Sequence, residues 1–185
     1  DLIETQRIAL KLNNQSVFSY VNIRKMYSQG INIELRTSSF ILNNLDWSIG
    51  GQLLDTRQQI TEEFDDVVNG EVINIEKKSY VPMFNRSRYT GNIKMFYASQ
   101  RLGLDANIRI QYRGAYGFVD SNGNSRIDST ENVHGYTLIN SSVAKTFKQQ
   151  YRFQIGINNL TNITDPQRVP SNPGRILYTQ ISLDF

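Results

Sequence analysis

The chain has 185 residues, no cysteine, one histidine and a formal net charge of +3, and 39% of its residues are hydrophobic. Without cysteine there is neither a disulfide framework nor a thiolate metal centre, and a lone His134 excludes a multi-histidine zinc site. No apolar run is longer than Met95–Ala98, which excludes a transmembrane helix but not a strand with one apolar face.

Taken from the N-terminus, the chain is a series of alternating segments. "RIALKL" sets Ile8, Leu10 and Leu12 against Arg7, Ala9 and Lys11, and "GINIELR" sets Ile31, Ile33 and Leu35 against Asn32, Glu34 and Arg36. "DWSIGGQL" alternates Trp47, Ile49 and Leu53 with Asp46, Ser48 and Gln52, and "YTGNIKMFY" puts Ile93, Met95 and Tyr97 opposite Asn92 and Lys94. "NIRIQYR" and "YRFQIGINN" repeat the pattern, whereas "YTLINSSVAKTF" has no cleanly apolar phase and reads as a strand from its Ser and Thr content. "TQISLDF" closes the chain with Ile181, Leu183 and Phe185 in one phase. A period of two throughout, with no helical periodicity, predicts eight strands over 1–12, 17–38, 46–58, 88–99, 104–119, 135–147, 151–162 and 175–185. The fold class is all-β and antiparallel.

The predicted connections alternate in length. Those after residues 40, 100 and 148 are short, and those at 59–87, 120–134 and 163–174 are long. Long connections at one end and tight turns at the other are the pattern of an outer-membrane barrel. The polar phases carry Lys94, Arg109, Arg113, Arg152 and Gln154, which a barrel turns toward its lumen. Tyr97, Tyr112, Tyr116, Tyr136 and Tyr151 sit near strand ends, as interfacial girdles do. Two other architectures share the alternation. One is a soluble β-sandwich binding module, whose apolar faces pack on each other; the other is a self-contained eight-stranded outer-membrane barrel with a structural or adhesive role.

The C-terminal "GINNLTNITDPQRVPSNPGRILYTQISLDF" resembles the last hairpin of TonB-dependent outer-membrane receptors. Gly156, Asn158, Asn159 and Leu160 match a G-x-N-N-L motif, and Pro173, Gly174, Arg175 and Tyr178 match P-G-R-x-x-Y. Near the other end, "DLIE" and the later Tyr20, Asn22, Lys25, Gly30, Glu34 and Leu35 fall at the positions of a second family pattern. The resemblance implies an outer-membrane receptor that imports a scarce nutrient, of the siderophore-iron, haem or cobalamin class, with TonB-coupled energy. It implies that residues 1–185 form the C-terminal third of the barrel, without the plug domain and N-terminal strands. Its expected partners are the rest of the barrel and the plug, TonB acting through that missing N-terminal part, lipid and lipopolysaccharide, and the small nutrient ligand. The barrel-assembly machinery is a further one, reading Ile181, Leu183 and Phe185. A Gram-negative outer membrane is the implied location.

The loop "DSNGNSRIDSTE" places Asp120, Asn122, Asn124, Asp128 and Glu131 at positions 1, 3, 5, 9 and 12 of an EF-hand-like calcium loop. Ser125 stands at position 6, where the pattern has glycine, so a calcium loop and an ordinary Asn-Gly turn are both open readings. No other cofactor is indicated. The acidic stretch Glu62–Glu76 reads as a solvated loop. Catalysis has no support, because His134 stands alone and neither G-x-S-x-G nor a phosphate-binding glycine loop occurs. The basic residues alternate along strands instead of forming a patch with exposed aromatics, which excludes a nucleic-acid interface.

Overall fold

A computed structural model describes residues 4–12, 15–23, 25–38, 44–68 and 71–183. Their ordered elements are all strands: β1 (Glu4–Leu12), β2 (Gln15–Ile23), β3 (Met26–Ser38), β4 (Leu45–Val68), β5 (Glu71–Pro82), β6 (Tyr89–Ser99), β7 (Leu104–Arg113), β8 (Tyr116–Gly117), β9 (Asn132–Val133), β10 (Tyr136–Phe147), β11 (Tyr151–Asn158) and β12 (Ile176–Leu183). The chain divides into two compact units, one of residues 1–30, 54–88 and 116–133, the other of residues 31–53, 89–115 and 134–185.

The second unit is a sheet in the order β12-β11-β10-β7-β6-β4-β3. Its ladders are antiparallel and regular, for example Lys94↔Arg109, Asn140↔Arg109 and Gln154↔Gln180. Residues directly opposite share a face, so the register sorts the side chains. One face carries Trp47, Ile49, Met95, Ile108, Tyr112, Val143, Phe153, Ile155, Leu177, Ile181 and Leu183, and the other carries Ser48, Lys94, Arg109, Gln111, Ser142, Arg152 and Gln154. The apolar face stays exposed: Leu177 and Ile181 are 72% and 71% accessible, and Ile31 and Ile33 are 63% each. Among the residues from 25 onward whose side chains the structure describes, no isoleucine or leucine is buried. A soluble sandwich buries that face against a second sheet, so this sorting is that of a wall with apolar solvent outside. Among the described residues β12 and β3 end the order without pairing to each other, so the sheet is open where a self-contained eight-stranded barrel would close.

Connections between these strands are short at one end, residues 100–103 and 148–150, and long at the other, residues 114–135 and 159–175. Three sequence expectations need correction. Residues 59–87 are not a loop, since β4 continues to Val68 and pairs with β5 from Arg57↔Pro82 to Val68↔Glu71. In the sequence only two residues, 69 and 70, stand between the two strands. The run of acids hid the alternation there. The predicted strand 17–38 is two strands, with residues 24 and 25 between β2 and β3, and the predicted strand 104–119 stops at Arg113. Of the five tyrosines assigned to girdles, Tyr97, Tyr112 and Tyr151 lie on the apolar face. Tyr136 pairs with Arg113 on the polar face, and Tyr116 is 5% exposed in the other unit.

The first unit holds β1 paired with β2 from Glu4↔Ile23 to Leu12↔Gln15, the β4–β5 hairpin, and the short β8–β9 pair. Beyond Pro82 the chain leaves the ladder, and residues 83–88 form an insertion opposite residues 54–56. Met83 N–H donates to Thr56 O at 3.1 Å and Leu54 N–H to Arg88 O at 2.9 Å on its two sides. The insertion interrupts the ladder, as bulges do, and contributes to a small set of buried apolar side chains. Val81, Met83, Phe84, Tyr116 and Val133 are all at most 8% exposed. Gly117 has no room for a side chain, because a Cβ there would lie 2.6 Å from Ile127 and 2.9 Å from Phe84.

Candidate functional site: the polar sheet face and the 118–131 loop

Strand alternation brings all five residues assigned to the lumen, Lys94, Arg109, Arg113, Arg152 and Gln154, to one face of the sheet. They are wired differently. Arg152 pairs with Asp105 at 3.2 Å, with both side chains partly exposed. Gln154 donates to Ser142 Oγ at 3.2 Å, and Ser142 Oγ also accepts from Asn107 Nδ2 at 2.6 Å. Gln154 Nε2 approaches Tyr178 Oη at 3.4 Å, so one chain of polar contacts crosses β7, β10, β11 and β12. Lys94 and Arg109 are directly opposite each other, and the Lys94 charge acts on the Glu34 carboxylate, which pairs with Arg36 at 2.8 Å.

Beyond β11 the chain forms a polar knot that the motif residues tie. Asn159 is 4% exposed and takes a left-handed backbone, φ 52°. Its Nδ2 donates to Ile163 O at 2.9 Å and Asn172 Oδ1 at 3.1 Å, and its Oδ1 accepts from Ile163 N–H at 3.0 Å. Asn162, also left-handed at φ 54°, accepts from Arg175 N–H at 3.0 Å, and the Arg175 guanidinium donates to Leu160 O at 2.8 Å. Gly156 faces Tyr178, and a Cβ at Gly156 would lie 2.3 Å from that ring. The two sequence motifs are thus two halves of one packing arrangement. Sequence reading matched their letters without seeing that they touch.

In the other unit the 118–131 loop ties each of the five calcium-pattern residues into its own hydrogen bonds. Asp120 accepts from Gly123 N–H at 2.7 Å and Ser125 N–H at 2.8 Å, and Asn122 and Asn124 accept from Asn124 N–H and Arg126 N–H at 3.0 and 2.7 Å. Asp128 Oδ2 accepts from both asparagine amides, Asn122 Nδ2 at 2.7 Å and Asn124 Nδ2 at 3.0 Å. Glu131, 3% exposed, accepts from Ser121 N–H and Oγ–H at 2.6 Å each and from Asp128 N–H at 3.1 Å. Burial alone would raise the Glu131 carboxyl, but these hydrogen bonds outweigh it and hold the group below the usual carboxylate range. Ser125, in the place of the glycine, has φ 58°. Arg126 reaches out of the loop to Glu62 on β4, with its Nε at 3.0 Å from Oε1. No group of three or more His, Cys, Asp and Glu side chains comes together as a metal-holding cluster among the described residues.

Of the assembly-signal residues, Ile181 and Leu183 lie on the exposed apolar face, and Phe185 lies outside the described residues. Asp105, the Gly156–Tyr178 stack and Glu62 were not singled out from sequence. The first and last need the register or the tertiary fold to find their partners.

Comparison with known proteins agrees with this architecture. The family model "TonB dependent receptor-like, beta-barrel" matches residues 1–160, so the chain belongs to the TonB-dependent receptor-like β-barrel family. This is a family of outer-membrane receptors and transporters, not of enzymes. Among solved structures, the siderophore receptor PirA from Acinetobacter baumannii is similar, with 15% identity, a TM-score of 0.41, and coverage of 85% of this chain and 32% of that one. The chain therefore spans about a third of that receptor's length. No curated protein matches it.

Proposed function

We propose that this chain forms wall and external connections of a larger Gram-negative outer-membrane receptor, which imports a scarce nutrient with energy coupled through TonB. The observation that carries the reading is the sorting of the sheet. An exposed apolar face is lipid-facing by its composition, and the opposite face, with Lys94, Arg109, Arg152 and Gln154, is suited to a water-lined lumen. The open edges at β3 and β12 fit a segment that further strands complete. A plug in that lumen and TonB acting on the plug, which family membership supports, are parts of the same proposal, as is the assembly machinery reading Ile181, Leu183 and Phe185. The nutrient is of the siderophore-iron, haem or cobalamin class. Uptake of each, in cells lacking the receptor gene and in cells lacking TonB, tests this. Loss of one nutrient's uptake in both strains is expected, and unimpaired uptake of all three in the receptor deletion overturns it.

A calcium role for Asp120, Asn122, Asn124, Asp128 and Glu131 belongs to the proposal as a secondary reading, supported by the left-handed backbone at Ser125. The loop closes through its own hydrogen bonds, so calcium would act by exchanging with the asparagine amide donors now on Asp128. Terbium luminescence of the purified receptor, displaced by calcium and abolished by Glu131→Gln, is the expected signal.

A further inference from the structure

Within the 118–131 loop, Asn122 and Gly123 are exposed, and the groups around them are those that let an asparagine side chain react with its own backbone. Gly123 N–H donates to Asp120 Oδ1 at 2.7 Å, so a carboxylate stands where it can take that proton and leave a nucleophilic nitrogen. This carboxylate is itself held, since its other oxygen accepts from Ser125 N–H at 2.8 Å. Asn122 Oδ1 accepts from Asn124 N–H at 3.0 Å, which polarises the side-chain amide and steadies negative charge as it builds on that oxygen. Gly123 has φ 77°, and a Cβ there would meet nothing within 4 Å, so a ring closing at this peptide has room. Asn122 Nδ2, the leaving nitrogen, donates to Asp128 Oδ2 at 2.7 Å.

We propose that Asn122–Gly123 is a self-modification site: Asn122 deamidates in the folded receptor, and the carboxylate that results unties the loop from Asp128. Gly123 N bonds to Asn122 Cγ, the Cγ–Nδ2 bond breaks, and ammonia departs with the proton that Gly123 N gives up. Water then opens the five-membered imide at either carbonyl, leaving an aspartyl or isoaspartyl residue at this position. The product carboxylate only accepts hydrogen bonds. One of the two amide donors on Asp128 is thereby replaced by a like charge at close range, and an attraction becomes a repulsion. This chemistry belongs to the loop itself and stands apart from the transport reading.

Peptide mapping by mass spectrometry tests it on the complete receptor, incubated at neutral pH folded in detergent and, in parallel, unfolded in urea. In the folded receptor residue 122 is expected to convert no more slowly than in urea, with isoaspartate among the products. Asp120→Asn keeps an acceptor for Gly123 N–H but removes the base. It should slow conversion at residue 122 about tenfold or more in the folded receptor and leave the rate in urea unchanged. Slower conversion of the folded parent than of the unfolded chain would mean that the loop's hydrogen bonds protect Asn122, and would overturn the site. Faster conversion in folded Asp120→Asn would overturn it too, because Asp120 would then be a restraint and not a base. The consequence is read separately: amide exchange of residues 118–131 should quicken in the converted protein and in Asn122→Asp. Unchanged exchange in either would remove the untying.

Discussion

Asn159 combines two costs that only its own side chain offsets. It is buried, and it holds φ 52°, a region that alanine enters at a penalty. Asn159→Ala removes the bonds to Ile163 and Asn172 while keeping the backbone strain, so a loss of about 2–4 kcal/mol is expected. Asn159→Gly loses the same bonds but relieves the strain, and should cost about 1 kcal/mol less. Proteolysis of the 159–175 connection in the purified receptor measures the order of the three proteins. Glu131 makes a pH prediction of the same scale. Its carboxyl is held low in the folded loop, so its contribution is present above the unfolded value near 4.5 and is lost as pH falls through the lower folded value. The protection of the 118–131 amides, corrected for the intrinsic pH dependence of exchange, should therefore fall as the pH drops below about 4.5 in the parent and stay flat with pH, though lower throughout, in Glu131→Gln.

Among elements, the β11–β12 hairpin depends on a glycine for a reason of space. Tyr178 lies over Gly156, so Gly156→Ala must push the ring aside, at about 1–3 kcal/mol for overpacking. Adding Tyr178→Ala should recover part of that loss, and a double-mutant cycle on unfolding midpoints reads the coupling. The β4–β5 hairpin is joined to the 118–131 loop by Glu62 and Arg126, which are about two-fifths and one-half exposed. An exposed pair is worth about 0.2–1 kcal/mol, so Glu62→Gln should loosen the loop slightly without unfolding it, visible as faster exchange confined to residues 118–131. In the same unit Phe84, which is buried, and Ile127 close over Gly117.

For the whole molecule, the prediction concerns the two faces of the sheet. Ile155 is exposed on the apolar face, and its neighbour Gln154 points to the polar one. If the apolar face meets lipid, Ile155→Arg should cost about 2–4 kcal/mol of insertion near the bilayer midplane, and Gln154→Arg close to none. Heat-modifiable mobility of the receptor refolded into vesicles measures both. Equal effects at the two positions would remove the lipid-facing assignment.

The strand phase was legible from sequence because a period of two is local: Ile31, Ile33 and Leu35, or Ile108, Ile110 and Tyr112, need no knowledge of their partners to be assigned to one face. Family motifs were legible for a similar reason, as letters at fixed spacing. The hairpin at 57–82 was not, because Glu62, Glu63, Asp65 and Asp66 on one strand masked the alternation, and their tolerance depends on the partner strand across the ladder. Likewise, no spacing announces that Gly156 makes room for Tyr178, that Phe84 of the 83–88 insertion comes against Gly117, or that Lys94 is set against Arg109. Alternation along one strand is fixed by the chirality of the backbone and the sequence itself. Which residue stands opposite which is fixed by register, a property of two strands together, and that only the tertiary structure decided.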